Sequence, residues 1–379
     1  MARTKAVVAM SGGVDSSVAA CLLHEQGYEI VGLFMRVGIT SPETAATPAP
    51  AAGGDTQPAS RPHQGCCSAV DAADARFVAG MLDVPFYALN FKEDFERIVD
   101  YFADEYARGR TPNPCVVCNH ELKFGKLLDY ADAVGADLIA TGHYARIDTS
   151  GRRPRLRKGL DTRKDQSYVL FGLQREVLDR VLLPVGHLTK PEVRRAAARF
   201  GLPVCDKPDS VDICFVPDRD YARLVRERRP EAFVPGDVVD DRGRVLGRHE
   251  GVANFTIGQR RGLGIAAGHP LYVTRLNVLD NTIGVGDRGA LLARRFRVSR
   301  VNLLVDPPAP PGPPGFAAHV KMRYQHPAAP AVVELYDDGT AQISFDEPQS
   351  AITPGQAAVF YDGDVVLGGG WIEQVFDDV

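Results

Sequence analysis

Residues 5–27 read KAVVAMSGGVDSSVAACLLHEQG, and they join a strand, a glycine-rich loop and a helix. Residues 5–10 form an apolar run typical of a buried strand, and residues 16–26 have helical composition with Gly27 at the end. The loop between them is SGGVDSS, residues 11–17. Glycines directly after a strand let backbone N–H groups approach an anion, and serine hydroxyls add donors at the positive helix terminus. This order therefore predicts a phosphate-binding loop.

Two features limit what the loop alone can establish. No GxxxxGK[ST] motif occurs, so the loop is not a Walker P-loop and no lysine of that motif enters the phosphate cradle. The alternative is a glycine-rich turn in which Asp15 and Ser16 only cap the helix. The position after the first strand favours phosphate binding, and a carboxylate beside phosphates predicts that Asp15 binds Mg²⁺.

The pattern of strands and helices continues to about Cys205. Further strands are expected at residues 29–35, 84–89 and 138–141, and helices at residues 69–82, 94–108, 124–133 and 189–200. Thr189 and Glu192 have capping-box spacing at the start of the last helix, and Gly201 closes it. Alternating strands and helices predict an α/β fold, with a parallel sheet covered on both faces.

After Pro235 the sequence changes to short β-type runs separated by glycine, Asp-Gly and asparagine turns. This texture predicts one or two small β-barrels. We expect three domains, over residues 1–205, 206–290 and 291–379, of which the last is a C-terminal β-barrel. Residues 39–64 are rich in Ala, Pro, Gly and Thr and are expected to be a disordered insertion.

Composition narrows the class of protein. The chain has 379 residues, of which 45% are hydrophobic and 24% charged, and its formal net charge is −4. No stretch reaches the roughly 20 apolar residues that span a bilayer, and no signal peptide is evident, so a cytoplasmic protein without a membrane partner is expected. The negative net charge excludes a protein that binds nucleic acid through a high overall positive charge. Local basic runs remain, at residues 146–164, 223–229 and 294–300, and they predict either solvated faces or a surface that binds RNA.

Six further motifs follow the loop, in this order: GRTPNPCVVCN (109–119), ATGHYAR (140–146), KDQSY (164–168), DICF (212–215), GQRRGLG (258–264) and PGQ (354–356). The SGGVDSS loop resembles the pyrophosphate loop of the N-type ATP pyrophosphatases, and the whole set resembles the tRNA-specific 2-thiouridylases. The resemblance covers more than 300 residues and excludes the 39–64 insertion. It implies an ATP-pyrophosphatase catalytic domain over residues 1–205 followed by two small β-rich domains, a central tRNA-binding domain over 206–290 and a C-terminal β-barrel domain over 291–379.

The resemblance also implies roles for individual residues. ATP binding falls to Ala9, Met10, Ser11, Gly12, Gly13, Val14, Asp15, Ser16, Met35 and Gly142. The target base and tRNA are assigned to Asn113, Pro114, Cys115, His143, Lys164, Asp165, Gln166, Arg323, Tyr324 and Gln356. Cys118 is the nucleophile and Cys214 carries the persulfide, so a disulfide forms between them during the reaction.

The chemistry is consistent with these assignments. Replacing a carbonyl oxygen by sulfur requires a good leaving group, which adenylation by ATP supplies, and a soft sulfur nucleophile, which a persulfide supplies. A second thiol then releases the sulfur. The implied activity is a tRNA-uridine 2-sulfurtransferase acting on the wobble uridine of the anticodon stem-loop, with a sulfur-donor protein or a cysteine desulfurase relay as partner.

Several alternatives stay open at this point. Many thiouridylases carry aspartate where this chain has Cys115, so Cys115, Cys118 and Cys214 could instead hold a [4Fe–4S] cluster with one open iron position. Otherwise no metal site is expected apart from Mg²⁺. Two rival functions are an amide-forming ligase that shares the loop, and a non-catalytic RNA-binding or iron–sulfur protein. Cys21 and Cys205 are expected to be structural, and Cys66 and Cys67 receive no role.

Overall fold

A computed structural model describes residues 3–38, 69–209, 213–306, 308 and 312–376. The predicted insertion at 39–64, together with Cys66 and Cys67, lies outside these ranges. The first part of the chain contains β1 (Lys5–Ala9), α1 (Val14–Glu25), β2 (Glu29–Arg36), α2 (Ala69–Met81), β3 (Phe86–Asn90), α3 (Lys92–Ala107), α4 (Pro114–Val117), α5 (Leu127–Ala133), β4 (Leu138–Ala140), β5 (Ala145–Asp148), β6 (Arg155–Lys158), β7 (Val181–Leu182) and α6 (Lys190–Arg199).

The remainder is mostly β structure. The middle part contains α7 (Tyr221–Arg228), β8 (Gly236–Val239), β9 (Val245–His249), β10 (Tyr272–Asn277) and β11 (Thr282–Gly286). The last part contains β12 (Leu292–Leu303), β13 (Phe316–Lys321), β14 (Ala329–Leu335), β15 (Ala341–Ser350), β16 (Ala357–Asp362) and β17 (Val365–Phe376).

The first sheet has the strand order β3-β2-β1-β4-β7, and every neighbouring pair is parallel. Side chains of successive strand residues point to opposite faces, so the two faces have separate cores. Val7 packs in the core that includes α3 and α5, whereas Val8 packs in the core that includes α1 and α6. The expectation of a parallel sheet covered on both faces is confirmed.

The start of α6 is fixed by its sequence. The Thr189 N–H and hydroxyl both donate to the Glu192 carboxylate at 2.7 Å, and the two residues form a capping box. The Glu192 pKa is lowered chiefly by the hydrogen bond from the Thr189 backbone. This predicted helix start is confirmed, and it fixes the position of Lys190, the first residue of the helix.

The two β-rich parts are also present. Strands β10-β11-β8-β9 form a small sheet around Val238, Val273 and Ile283. Strands β12–β17 form a sheet that closes into a barrel, because β12 pairs with both β15 and β17. None of the helices within the described ranges is long and apolar enough to cross a membrane.

A hairpin from the first part of the chain extends the barrel sheet. Strands β5 and β6 pair with each other, and β6 pairs with β17 through Arg157 and Val365. The Arg157 guanidinium forms ion pairs with Asp148 at 2.6 Å and Asp364 at 2.8 Å. The hairpin therefore joins the α/β part to the barrel by both backbone and ionic contacts.

Candidate active site

The loop of residues 11–17 joins β1 to α1 and is organised by its own serines. The Ser11 N–H donates to the Ser16 Oγ at 3.1 Å, and the Ser17 hydroxyl donates to the Gly13 carbonyl at 2.8 Å. Gly13 is the extended N-cap residue, and no side chain from the described part of the chain caps the helix there. Asp15 and Ser16 are thus not the helix cap, and the first N–H groups of α1 can bind an anion.

The loop lies where the strand order reverses, since β2 and β3 are on one side of β1 while β4 and β7 are on the other. Open α/β sheets bind ligands at such a switch point. Gly142 follows β4 and closely approaches the loop: a Cβ atom there would lie 2.6 Å from the Ser16 nitrogen and 2.7 Å from the Asp15 carbonyl carbon. Only glycine permits this contact, so Gly142 borders the loop of residues 11–17.

The remaining residues expected to contact ATP lie at the carboxyl ends of β1 and β2. Ala9 and Met35 are half-buried there. Met10 is buried, and its N–H donates to the Leu33 carbonyl at 2.8 Å. Gly12 has φ +73°, and its α-carbon packs against the Asp71 carbonyl. The start of the loop of residues 11–17 therefore packs against β2 and α2.

A lysine enters this loop from a distant part of the sequence. The Lys190 Nζ lies 2.8 and 2.9 Å from the two Asp15 carboxylate oxygens and 2.8 Å from the Asp209 carboxylate. The Tyr144 hydroxyl also donates to Asp15, at 2.7 Å, and burial together with the Asp15 charge raises the Tyr144 pKa. The loop thus has a cation that the local sequence did not indicate.

A second lysine ties the same loop to the segment that leads to Cys214. The Lys207 Nζ donates to the Gly12 carbonyl at 2.9 Å and pairs with Asp71 at 2.5 Å and Asp74 at 2.9 Å. Burial opposes the charge of Lys207, but the hydrogen bonds to Asp71 and Asp74 raise its pKa overall. Residues 207–209 are therefore held close to the loop of residues 11–17.

The segment continues to Asp209, which is held by three cations. Its carboxylate pairs with Lys164 at 2.7 Å, Lys190 at 2.8 Å and Arg194 at 3.3 Å. Burial opposes the lowering, but the hydrogen bonds from Lys164 and Lys190 lower the Asp209 pKa overall. The ion pairs of Lys190 with Asp15 and Asp209, and those of Lys207 with Asp71 and Asp74, together hold the residues around the phosphate loop.

The loop that carries Cys115 and Cys118 is built on a helix start. The Asn113 Oδ1 accepts the Val116 N–H at 3.3 Å, and Pro114 occupies the first turn of α4. The helix continues as a π-helix over Cys118–Lys126 and then as α5, so it begins ten residues before the predicted start at residue 124. π-Helical turns often occur at functional sites. Cys115 is exposed and Cys118 is half-buried.

The barrel holds this cysteine loop in place. The Gln356 Nε2 donates to the carbonyls of Thr111 at 3.1 Å and Pro112 at 3.0 Å. The Thr111 N–H donates to the Pro354 carbonyl at 2.9 Å. Gln356, expected to contact tRNA, thus supports the loop that precedes Asn113.

Cys214 is half-buried and lies next to a well-packed aromatic side chain. The Phe215 ring centroid is 5.6 Å from that of Phe95 and 5.2 Å from that of Phe102, both on α3. Helix α4 also packs on α3, and Cys118 and Cys214 pack against the same hydrophobic core. The structure therefore brings the two cysteine segments to one helix.

Two residues expected to contact tRNA are buried. The Asp165 carboxylate accepts the Gly159 N–H at 3.0 Å and the Ser167 N–H and hydroxyl at 3.1 and 2.9 Å. The His143 Nδ1 is 2.8 Å from the Thr141 Oγ1, and burial, aided by Lys123, lowers the His143 pKa. Both side chains organise turns, and their contact with tRNA stays a prediction.

Lys164 and Gln166 also have partners within the protein. Lys164 pairs with Asp209, and the Gln166 Oε1 accepts the Tyr144 N–H at 2.9 Å. Through this contact Gln166 holds the backbone of Tyr144, whose hydroxyl donates to Asp15. The segment of residues 164–168 therefore runs beside the phosphate loop.

Arg323 and Tyr324 occupy a more open position. Tyr324 is 39% exposed, and its ring centroid lies 6.1 Å from that of Tyr168. Burial raises the Tyr324 pKa, and Asp165 and Cys115 add to the rise. Arg323 donates to the Ser350 carbonyl at 3.2 Å.

Many cations of the predicted basic runs are neutralised by carboxylates. Arg146 pairs with Asp364 at 2.7 Å, and Arg157 pairs with the same residue. In the second run Arg228 pairs with Glu96 and Asp100, and in the third Arg297 pairs with Asp338. These side chains join elements of the fold, so counting basic residues overstated the charge available to RNA.

Sequence reasoning missed Lys190, Lys207, Asp209 and Tyr144. The capping box marked the start of α6 but gave no sign that Lys190 meets Asp15, because 175 residues separate them. For the early start of α4 a signal was present, since Asn followed by Pro is typical of an N-cap and first helical position.

The fold combines a parallel sheet, a phosphate-type loop at its switch point, two cysteine segments that pack near α3, and two β-rich parts. These features are typical of nucleotide-binding α/β enzymes. Residues 4–218 match the tRNA methyl transferase HUP domain family, residues 223–287 match the tRNA methyl transferase PRC-barrel domain and residues 293–372 match the aminomethyltransferase beta-barrel domain. The chain belongs to the tRNA-specific 2-thiouridylase family.

Relatives match over nearly the full length. The chain is 46% identical over 376 residues to the tRNA-specific 2-thiouridylase MnmA of Carboxydothermus hydrogenoformans, covering 98% of each chain. It is 48% identical over 374 residues to that of Geobacter metallireducens, covering 98% of this chain and 97% of the relative. Among solved structures, a 4-thiouridine synthetase–RNA complex with bound ATP matches 60% of this chain and 51% of its own, at 16% identity and TM-score 0.36.

Proposed function

We propose that this protein transfers sulfur to carbon 2 of the wobble uridine in tRNA at the expense of ATP. The observation that carries the proposal is the arrangement of the site within a chain of this family. A phosphate-type loop is tied by Lys207 to the segment before Cys214, while Cys118 and Cys214 pack against one core. Adenylation and sulfur transfer need these two centres in one enzyme.

The first step activates the base. The loop amides and Lys190 bind the phosphates, with Met35 and Gly142 at the nucleotide. The uridine oxygen at carbon 2 attacks the α-phosphorus of ATP, and pyrophosphate leaves. Mg²⁺ would neutralise phosphate charge when bound. The Asp15 carboxylate suits this ion, because Mg²⁺ is commonly held by one or two carboxylates together with substrate phosphates.

The second step replaces oxygen by sulfur. The terminal sulfur of a Cys214 persulfide attacks carbon 2, and AMP leaves with the former carbonyl oxygen. The Cys118 thiolate then attacks the Cys214 sulfur, breaks the persulfide bond and leaves sulfur on the base. A Cys118–Cys214 disulfide remains, and a thiol reductant must restore it before a sulfur-donor protein or cysteine desulfurase relay reloads Cys214.

The iron–sulfur route has less support in the arrangement of the side chains. Within the described ranges, no group of three or more His, Cys, Asp or Glu side chains is arranged to hold a metal ion. A three-thiolate cluster on Cys115, Cys118 and Cys214 would require these segments to move together. We therefore assign Cys115 to the wall of the base pocket, beside Asn113 and Pro114.

The remaining assignments follow from the same proposal. The anticodon stem-loop is the RNA substrate, since a base in a single-stranded loop can be turned into a pocket. Gln356, Lys164, Asp165, Gln166 and His143 then act on RNA mainly by positioning the elements around that pocket. Residues 1–205, 206–290 and 291–379 are proposed as the catalytic, central RNA-binding and barrel domains of a cytoplasmic enzyme.

One experiment tests the function against its rivals. Purified protein is incubated with ATP, Mg²⁺, a persulfide donor and tRNA, and the products are analysed for AMP and 2-thiouridine. Formation of both in equal amounts supports the proposal. AMP without thiolated RNA indicates an amide-forming ligase, and binding of RNA without AMP indicates a non-catalytic protein. Full activity of iron-free protein and of Cys115→Ser would exclude the cluster route.

A further inference from the structure

The end of β13 presents two cations on one face. Val320 and Met322 are buried in the barrel core, so Lys321 and Arg323 lie on the opposite face of the chain. Both cations are half-buried. Tyr324 follows directly and is exposed.

The surroundings of Lys321 are aromatic. Its Nζ is 5.8 Å from the ring centroid of Tyr168 and 5.6 Å from that of Tyr324. Such cation–π contacts hold an ammonium group without neutralising it. Within the described ranges neither Lys321 nor Arg323 has a carboxylate within ion-pairing distance. The Asp165 carboxylate accepts hydrogen bonds from Gly159 and Ser167 instead.

Other half-buried cations of the chain differ from this pair. Lys207 and Arg110 have carboxylate partners, and their pKa values are raised despite burial. Burial lowers the pKa of both Lys321 and Arg323. The Asp165 charge raises the Lys321 pKa but does not offset the effect of burial. A partly desolvated cation without an ion-pair partner is costly, and an anionic ligand removes that cost. Lys321 and Arg323 are therefore suited to bind an anion.

The location indicates which anion is bound. The Ser167–Leu170 segment that carries Tyr168 contacts α4, and the Tyr324 ring lies 6.1 Å from the Tyr168 ring, so both rings adjoin the cysteine loop. An exposed aromatic ring beside cations is the usual arrangement for single-stranded nucleic acid, in which bases stack and phosphates pair.

We propose that Lys321, together with Arg323, binds a phosphodiester of the RNA strand next to the target uridine. The proposal rests on the proposed function and adds Lys321 to the residues that the family resemblance implies. The phosphate supplies the missing negative charge, and the Tyr168 and Tyr324 rings keep the ammonium group in place. Lys321 is thus a positioning residue for the strand.

The test compares Lys321→Met, which keeps an apolar stem, with Lys321→Arg, which keeps the charge, and with Lys5→Met as control. Lys5 lies at the amino end of β1 and pairs with Glu29. Dissociation constants for a 17-nucleotide anticodon stem-loop are measured over a range of salt concentrations. We expect Lys321→Met to weaken binding about tenfold and to reduce the salt slope by about one, with both restored by Lys321→Arg.

Two further readouts separate this role from a structural one. Removing an unpaired, half-buried charge should leave the melting temperature unchanged or raise it, whereas a structural lysine would lower it. The affinity for ATP should not change. An unaltered salt slope in Lys321→Met, or a parallel loss of ATP affinity, would overturn the proposal. Absence of thiolation by the wild-type protein would instead count against the proposed function, since RNA binding is measured independently.

Discussion

The phosphate loop and the cysteine loop differ in how far their polar groups are satisfied. Around the phosphate loop Asp15, Lys190, Lys207 and Asp209 form ion pairs with one another or with α2. Around the cysteine loop Cys115 and Tyr324 are exposed, and Lys321 and Arg323 have no described carboxylate within ion-pairing distance. The charges of the first region are already balanced within the protein, whereas under our proposal those of the second are balanced when the RNA binds.

This difference suggests a division of work between the two regions. A paired network can exchange one partner for a phosphate or a metal ion without leaving a charge exposed to an apolar surrounding. Unpaired cations and an exposed ring gain most from a polyanion with bases. ATP is therefore expected to bind to a preformed site, and RNA to a site whose charges are balanced only in the complex.

The largest expected effect is that of replacing a reactive cysteine, which should stop sulfur transfer but leave adenylation largely intact. Cys118→Ser and Cys214→Ser should each reduce 2-thiouridine formation by roughly 1000-fold or more, because each removes a sulfur nucleophile. Release of pyrophosphate in the presence of tRNA should remain within about tenfold of wild type. Nucleoside mass spectrometry and labelled ATP measure the two steps.

Cys205→Ser is the matched control, because Cys205 is half-buried in the same segment and has no assigned role. It should thiolate at the wild-type rate. Equal loss of both steps in the Cys118 variant would remove the distinction between the two regions.

The next effect concerns the phosphate region. Asp15→Asn should lower AMP formation about 100-fold, because the loop loses the carboxylate that suits Mg²⁺ and that orients Lys190. Affinity for the anticodon stem-loop should be unchanged. Asp364→Asn, which alters a carboxylate in the barrel, should leave AMP formation intact. A weakened stem-loop complex in Asp15→Asn would show that the two sites are not separate.

A third change tests the connection between the regions. Lys207→Met should lower the free energy of unfolding by about 2 kcal/mol, since the largely buried Asp71 carboxylate loses this lysine. It should also slow sulfur transfer more than AMP formation, because Lys207 anchors the segment before Cys214. Urea unfolding and single-turnover assays measure the two effects.

Arg199→Met is the control for stability. Arg199 and Glu25 form an ion pair in which both side chains are more than half exposed. Its removal should change the free energy of unfolding by less than about 0.5 kcal/mol. Similar losses in both variants would mean that the Lys207 contacts are ordinary surface pairs.

The smallest effect is a pH dependence of stability at His143. Burial lowers its pKa in the folded state below the ordinary value of 6.5, so the unfolded chain binds the proton more readily. The contribution of neutral His143 to the free energy of unfolding is therefore fully present above about pH 6.5. It decreases as the pH falls below that value, by about 1 kcal/mol at pH 5.5. Urea unfolding of wild type and His143→Gln at pH 7.5 and 5.5 should show a smaller pH effect in the variant. An identical pH effect would assign it to other groups.

Local sequence determined those features that depend on neighbouring residues. The strand–loop–helix unit, the Thr189–Glu192 capping box and the β-rich second half are present as expected, because each depends on contacts within a few residues. The pairing of Lys190 with Asp15 and of Arg146 with Asp364 depends on how elements pack, over 175 and 218 residues of sequence. For the same reason, the basic runs looked available to RNA until the fold supplied their carboxylates.

Family resemblance contributed a different part of the site. It assigned Cys118, Cys214, Arg323 and Tyr324, which no pattern of spacing could single out, and these roles remain proposals. It did not indicate that Asp165 and His143 are buried, since a motif records which residues occur together and not which way they point.

The β5–β6 hairpin restricts how this protein can be divided. A fragment ending near residue 205 would expose the edge of β6 that pairs with Val365, and it would leave Arg146 and Arg157 without Asp364. It would also leave the buried Tyr168 hydroxyl without the Ala357 carbonyl, 2.9 Å away. An unpaired strand edge invites aggregation. The nucleotide-binding half is therefore not a portable module, and an engineered transplant would have to carry the barrel with it.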